Sequence, residues 1–600
     1  MKKYSLIILL CMFFISSLSI AQSKPKIEYI LTMSQPHTHY FEVEIKVNGY
    51  NKDIIEFVMP VWAPGSYLIR EFSKNVDFFQ AYDGKSKPLL FEKTNKYTWK
   101  VYLNKSKSVN VSYKVYAFEL SVRTSFIDAS HGYLNGSSIF MYIKGMKDFP
   151  STLKIIPFKD WNKVSTGLTP IEGKNWEYSV PNYDILADSP IEIGNQDIYQ
   201  FTAAGIPHNI VMYGEGNYNI DSLKIQMAKI VETTTNIFGY NPNKEYTFII
   251  HNLGKKRGGL EHLNSTTLQF RRWSYDTENR SKSFLGLVAH EYFHLWNVKR
   301  IRPFQLGPFD YQNENYTKLL WEMEGLTTYY SGQILLRAGF YTPSEYLKNI
   351  SRSISSLENR PGNKVQSAAM SSFNTWIKFY RRNENSYNTE ISYYSKGSLL
   401  GMLLDLEIIN STNGEKSYDD VLRLLYNKYY KKLKRGFTEN EYKTAVEEIA
   451  DKNLDDFFSS YVDGIKEINY NKYLGYAGLL LIDKGKSSKK KNLGLQTKYN
   501  ENKLIVTRVI LGTPAYDKGI NVKDEIIAVN NYRVDKKLLD TLIKESPIGS
   551  ILNFLLSRDG KLLNIKVEIL NNPVKKFVIE EVDEPTDKQV LVYNKWLRIK

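Results

Sequence analysis

From Ile27 to about Gln200 the chain alternates apolar and polar residues in short runs divided by turn residues. The clearest are YFEVEIKV (Tyr40 to Val47), DIIEFVMPVW (Asp53 to Trp62), KYTWKVYL (Lys96 to Leu103), SVNVSYKVYAFEL (Ser108 to Leu120) and SIFMYIKG (Ser138 to Gly145). A period of two with β-branched and aromatic residues turns one face of each run to a core, which predicts an all-β sandwich. After a strand-like run at Tyr246 to Gly254 the period changes. From Ser283 to about Tyr461 apolar residues recur three and four apart, which predicts a mainly helical region. Near Tyr473 short strands return. Gly512-Thr513-Pro514-Ala515 turns into a short helix, Asp524 to Asn530 is a strand running into a turn, and DKKLLDTLIKES is a helix. The expected organisation is a β-sandwich at 22–200, an α+β catalytic domain at 201–468, a small β-rich domain at 469–572 and a C-terminal tail at 573–600.

Composition adds three limits. A 600-residue chain with 42% hydrophobic residues supports several cores. Residues 1–21 read as a signal peptide, with Lys2 and Lys3 before an apolar run and a small-residue cleavage site at Ser19-Ile20-Ala21, so the protein is expected to be exported to the periplasm or secreted. No later segment approaches the roughly 18 apolar residues that a membrane span requires. The single cysteine, Cys11, lies within that leader, which excludes disulfides, a cysteine nucleophile and cysteine-ligated metal from the mature chain. Removing Lys2 and Lys3 lowers the net charge from +16 to +14, and the densest basic run, Lys484 to Asn492, reads as a solvated loop. No nucleic-acid partner is expected.

The candidate chemistry lies in GLVAHEYFHLWNVKRIRP, Gly286 to Pro303, where two of the eight histidines stand four apart with a glutamate after the first. An accidental H-E-x-x-H is expected only about 0.005 times in such a chain. On a helix, positions four apart share a face, so His290 and His294 can hold one tetrahedral ion while Glu291 reaches a water beside it. The competing reading is a pair of core histidines satisfied by backbone carbonyls. A catalytic zinc takes three protein ligands. No histidine follows His294, so a downstream ligand must be a carboxylate, and LLWEMEGLTTYY (Leu319 to Tyr330) offers Glu322 and Glu324. Two residues apart on a helix, they cannot both face the ion, and periodicity does not choose between them.

His290-Glu291-x-x-His294 followed by Glu324-Gly325 resembles the gluzincin pattern, in which the glutamate before the glycine is the third ligand. HEYFHLWNVKRIRP, GGLEH (Gly258 to His262) and MPVWAPGSYLIREF (Met59 to Phe72), with a C-terminal unit that resembles a bacterial PDZ domain, are similar to the glycyl aminopeptidase family of metallopeptidases, related to aminopeptidase N. The similarity runs through nearly the whole mature chain. It implies a thermolysin-like catalytic domain, one zinc ion on His290, His294 and Glu324, and Glu291 as the general base. It also implies that Tyr394 of YYSKG stabilises the oxyanion, and that Gly258, Gly259, Leu260, Glu261 and His262 contact the substrate, with Glu261 on its free α-amino group. His262 departs from the asparagine of better-known relatives. The 29 residues between His294 and Glu324 exceed the spacing in aminopeptidase N relatives, which points to an inserted loop around Pro303 to Tyr316. The expected reaction is removal of a small first residue, Gly or Ala, from peptides. The alternatives are an endopeptidase or dipeptidyl enzyme on the same site, or a non-catalytic PDZ scaffold. Leu493-Gly494-Leu495 matches the PDZ carboxylate-binding loop, which would take a C-terminal peptide ligand. A fragment ending near Asn471 is expected to fold and to cleave small amides.

Overall fold

The structure is a computed structural model that describes residues 24–486, 491–571 and 574–599. The expected leader at 1–21 and the central lysines of the basic run lie outside the described residues.

The alternating runs pair as their period demands. Tyr40–Asn48 buries Phe41, Val43, Ile45 and Val47 and turns its polar residues outward. It sits within a seven-stranded sheet, between Lys26–Thr32 and Ser108–Tyr116. A four-stranded sheet built on Ile54–Val58 and Thr98–Tyr102 covers its inner face, and the two sheets share one core. The N-terminal domain is therefore a sandwich.

A five-stranded sheet starts the catalytic domain, in the order Asp197–Ala203, Ile206–Tyr213, Tyr246–Leu253, Ser265–Arg271, Gly258–Glu261. It begins a few residues before the expected boundary at 200. The sequence reverses at the edge because Gly258–Glu261 hairpins back antiparallel onto Ser265–Arg271, which leaves the outer side of Gly258–Glu261 unpaired. The helices Glu278–Phe293, Thr327–Arg337, Pro343–Glu358 and Tyr393–Ser411 then form a single apolar core with this sheet.

Several contacts join the sandwich to the catalytic domain, the inserted loop and a buried carboxylate among them. The expected inserted loop packs outward: Tyr311 is 1% exposed in the core of the sandwich, its carbonyl accepts from Val61 N, and the Asp310 carbonyl accepts from Trp62 Nε1. Farther away, buried Glu192 accepts hydrogen bonds from His131 Nδ1 at 2.6 Å and His251 Nε2 at 2.9 Å. A carboxylate taken out of water is held only by such saturation.

The C-terminal region departs from expectation. The PDZ-like unit has its own core, with Val506, Val529, Phe554 and Leu556 at its centre. It is not followed by a tail. Phe577–Glu581 pairs antiparallel with Leu479–Asp483, and the helix Asp587–Leu597 buries Val592, Trp596 and Leu597 in the catalytic core. The small domain is thus an insertion between two strands of the catalytic unit, and its ends meet at a bridge between Lys491 and Asn571. Among the described residues no helix is long and apolar enough to cross a membrane.

Candidate metal centre

His290 and His294 close the helix Glu278–Phe293, whose Phe284, Leu287, Val288 and Phe293 fix it against the core. The chain turns sharply after His294. Val298 sits at φ 125°, a costly conformation for a β-branched residue, and within this turn the Asn297 carbonyl accepts from His294 Nδ1 at 2.6 Å. That bond fixes the tautomer and turns the Nε2 lone pair inward.

Opposite, Trp321–Leu326 winds as a π-turn at the head of the helix Thr327–Arg337 and directs Glu324 at both imidazoles. Glu324 Oε2 lies 3.2 Å from His294 Nε2 and 3.4 Å from His290 Nε2, and the two Nε2 atoms are 3.2 Å apart. A tetrahedral ion with bonds of about 2.05 Å would set its ligand atoms about 3.3 Å apart. The donor atoms therefore already occupy three corners of such a site. The electrostatics agree with a divalent cation, because Glu261 and Glu291 also converge on His294, each offering an oxygen within 4.8 Å of the other two groups. Burial opposes ionisation of Glu324, yet the charge and hydrogen bonds of His294 and His290 outweigh it and hold its carboxyl down at about 2. Burial pushes the Glu291 carboxyl up to about 8, with Glu261 and Glu324 adding to the rise and His294 opposing it.

Glu322 points away. It is fully buried, neither oxygen has a hydrogen-bond partner among the described residues, and burial drives its carboxyl well above the usual range. Such a group is held neutral.

The edge strand Gly258–Glu261 runs beside the two histidines. Gly259 lies against the general-base candidate so closely that a Cβ there would come 2.1 Å from Glu291 Oε1. Glu261 is 4% exposed and faces the cavity with no ion pair or hydrogen bond to any described residue. Above it sits the loop at Gly65, at φ 81°, where a Cβ would come 2.6 Å from Glu261 Oε1. The WAPGSY stretch is thus the lid over that carboxylate, lent by the N-terminal domain. Tyr394, at the start of the helix Tyr393–Ser411, stacks 6.2 Å from the His290 ring, and its hydroxyl has no hydrogen-bond partner among the described residues.

Two expected substrate contacts turn elsewhere. Strand alternation puts Gly259 and Glu261 on the cavity face, so Leu260 and His262 face inward. Leu260 is 1% exposed in the core, and His262 Nδ1 lies 3.1 Å from Asp188 Oδ1 in a buried cluster that includes Lys299. Their side chains pack away from the cavity, whose lining includes neither residue. In the PDZ-like unit Leu493 likewise belongs to the core, while Leu495 opens an edge strand, Leu495–Asn500.

The cavity in front of these groups measures about 1150 Å³ and has walls that sequence periodicity did not mark: Arg70 and Arg123 from the N-terminal domain, Arg257, and Tyr380. All four lie in loops or turns distant in the chain, where only the fold brings them together.

Comparison with protein-family models matches residues 28–195 to the peptidase M61 N-terminal domain, 283–400 to M61 glycyl aminopeptidase and 492–569 to a PDZ domain. Comparison with curated proteins gives no match. Among solved structures, an aminopeptidase N family protein from Idiomarina loihiensis is similar over 95% of this chain and 100% of its own, at 29% identity and a TM-score of 0.88. An M1 zinc metallopeptidase from Deinococcus radiodurans matches over 74% of this chain and 96% of its own, at 13% identity and a TM-score of 0.47. Yeast LTA4 hydrolase matches over 75% and 67%, at 11% identity and a TM-score of 0.43.

Proposed function

We propose that this chain, a metallopeptidase carrying the M61 N-terminal, M61 glycyl aminopeptidase and PDZ domains in that order, is a zinc aminopeptidase that removes one small residue, Gly or Ala, from the N-terminus of peptides. The observation that carries the reading is Glu261: a nearly buried carboxylate, open to the cavity, with no cation in ion-pair contact among the described residues. A buried charge left unpaired is costly, and a substrate α-ammonium group would pair with it. The distance selects a single residue. Glu261 comes within 4.8 Å of groups on Glu291 and His294, room for the N, Cα and carbonyl of one residue between the carboxylate and the point of attack. The Gly65 loop presses on Glu261 from outside, which disfavours an endopeptidase whose substrate must continue there and favours a small first side chain.

His290, His294 and Glu324 would hold one zinc ion, which when bound supplies Lewis-acid polarisation of the scissile carbonyl and acidifies a water. Glu291, fixed against Gly259, takes a proton from the attacking water and gives it to the leaving amine nitrogen. The Tyr394 hydroxyl donates to the developing oxyanion, so Tyr394→Phe should lower kcat roughly a hundredfold with metal content unchanged. The edge strand Gly258–Glu261 offers its free side to the substrate backbone by strand addition. In the PDZ domain the edge strand Leu495–Asn500 would take a C-terminal peptide in the same manner.

Glu261→Ala tests the reading. It should reduce kcat/KM for free-amine substrates by roughly a hundredfold, because the ammonium loses its partner in a dry site, and metal content should not change. N-acetylation of the substrate should abolish cleavage by the parent enzyme. Internal cutting of acetylated peptides at an undiminished rate, with Glu261→Ala neutral for both, would leave the endopeptidase reading in its place.

A further inference from the structure

Arg70, Arg123 and Arg257 line the same cavity, and none of them is within ion-pair distance of a carboxylate among the described residues. Arg123 has no side-chain hydrogen bond among the described residues, and its Nε is buried without a partner there. Arg70 has a single side-chain hydrogen bond, Nη2 to Ser66 Oγ at 3.0 Å, and its Nε is likewise orphaned. Arg257 reaches only the Ser283 carbonyl, at 3.3 Å. Three partly dry guanidiniums without a carboxylate in direct contact are available to an anionic group of the substrate. Arg70 and Arg123 stand close enough to repel each other.

Their position relative to the chemistry is fixed by the edge strand. A substrate laid antiparallel on Gly258–Glu261, with its first residue at Glu261, runs back toward Gly258 and Arg257. Arg123 is on that same side, because Lys256, beside Arg257, donates to the Leu120 carbonyl and so draws the Arg123 loop against the strand's beginning. Arg257 stands near enough to Glu291 to feel its charge, and Arg123 near enough to feel both Glu291 and Glu261, so Arg257 flanks the beginning of the strand while Arg123 reaches over its length. Four residues of strand span about 13 Å. A dipeptide or tripeptide anchored at Glu261 ends within reach of long arginine side chains there.

The geometry points to Arg257 and Arg123 as a clamp for the C-terminal carboxylate of short peptides, so that the enzyme selects di- and tripeptides by gripping both termini. This rests on the aminopeptidase reading, since Glu261 sets the register. The guanidinium fork matches a carboxylate in shape as well as charge, so the clamp distinguishes a free acid from an amide of equal length.

The test is a ratio measured within one protein sample, insensitive to how much of it is active. For the parent enzyme, kcat/KM for glycyl-alanine should exceed that for glycyl-alaninamide roughly tenfold or more. In Arg123→Gln and in Arg257→Gln that ratio should fall toward one. Equal rates for acid and amide in the parent enzyme would overturn the clamp, and so would an unchanged ratio in both variants. N-acetylglycyl-alanine separates the two ideas. Its cleavage at a rate comparable with glycyl-alanine would remove the aminopeptidase reading and the register on which the clamp depends, whereas a strict need for the free amine with no preference for the acid would remove the clamp alone.

Discussion

Glu291→Gln should keep its metal and lose turnover by roughly 10³–10⁴-fold. The substitution preserves shape where shape is tightly constrained: Glu291 is 5% exposed and lies against Gly259 with no room for another atom between them. The three donor groups of the metal centre are left untouched. What disappears is the carboxylate that, in the proposed mechanism, accepts the proton of the attacking water and returns it to the leaving amine. His294→Ala is the contrast, because it removes both a donor and the imidazole that the Asn297 carbonyl orients, and it should lose metal and activity together. Metal analysis and turnover on the same samples separate the two variants. Near-normal turnover in Glu291→Gln would sink the proposed mechanism. Loss of metal in a folded Glu291→Gln protein would mean that this carboxylate is itself a ligand.

How much of this was legible in the sequence depended on how local the determining geometry is. His290, Glu291 and His294 needed only the helical repeat, and the repeat is what brings the two imidazoles together. The sandwich strands needed only a period of two. The choice between Glu322 and Glu324 could not come from periodicity, because Trp321–Leu326 is a π-turn and its wider winding breaks the angular step on which a helical reading relies. The resemblance to gluzincins supplied Glu324. His262 does carry a signal: the alternation of faces along a strand that turns Glu261 outward turns His262 in. The arginines of the cavity carried no periodic mark, since Arg70 and Arg123 belong to loops of a different domain, although Arg70 lies within the MPVWAPGSYLIREF string. The region after 573 did carry one. Val592, Trp596 and Leu597 recur at helical spacing behind a capping box of Thr586 and Gln589, the signature of a buried helix.

That helix leads to the largest structural effect. A chain ending near Asn471 loses the PDZ domain, but it also loses Phe577–Glu581 and Asp587–Leu597, which support the metal centre from behind. Trp596 Nε1 donates to the Tyr329 hydroxyl, which donates to Asp405, and Arg598 joins Arg337 and Tyr330 on Asp419. Tyr329, Tyr330 and Arg337 lie on the helix that continues from Glu324. The backbone N–H groups of Phe577 and Ile579 donate to Ser355 and Ser351 on Pro343–Glu358, a wall of the cavity. Burial of Val592, Trp596 and Leu597 alone stabilises the fold by about 2–3 kcal/mol each, which together is comparable with the whole stability of a domain, roughly 5–15 kcal/mol. Truncation near Asn471, or at Pro585 alone, should therefore yield insoluble or metal-free protein. Excision of 492–570 with Lys491 rejoined to Asn571 through two or three glycines should not, because those residues already meet in a bridge and the PDZ core is separate from the catalytic one. Its main cost is a pair of hydrogen bonds, in which Asn388 Nδ2 donates to the Val509 carbonyl and Asn388 Oδ1 accepts from the Leu511 N–H, which water can replace. Metal content and cleavage of small amino-acid amides in the two deletions decide the matter. An active truncation at Pro585 would show that the C-terminal helix is dispensable, and a metal-free excision variant would show that the PDZ domain, not the helix, holds the centre together.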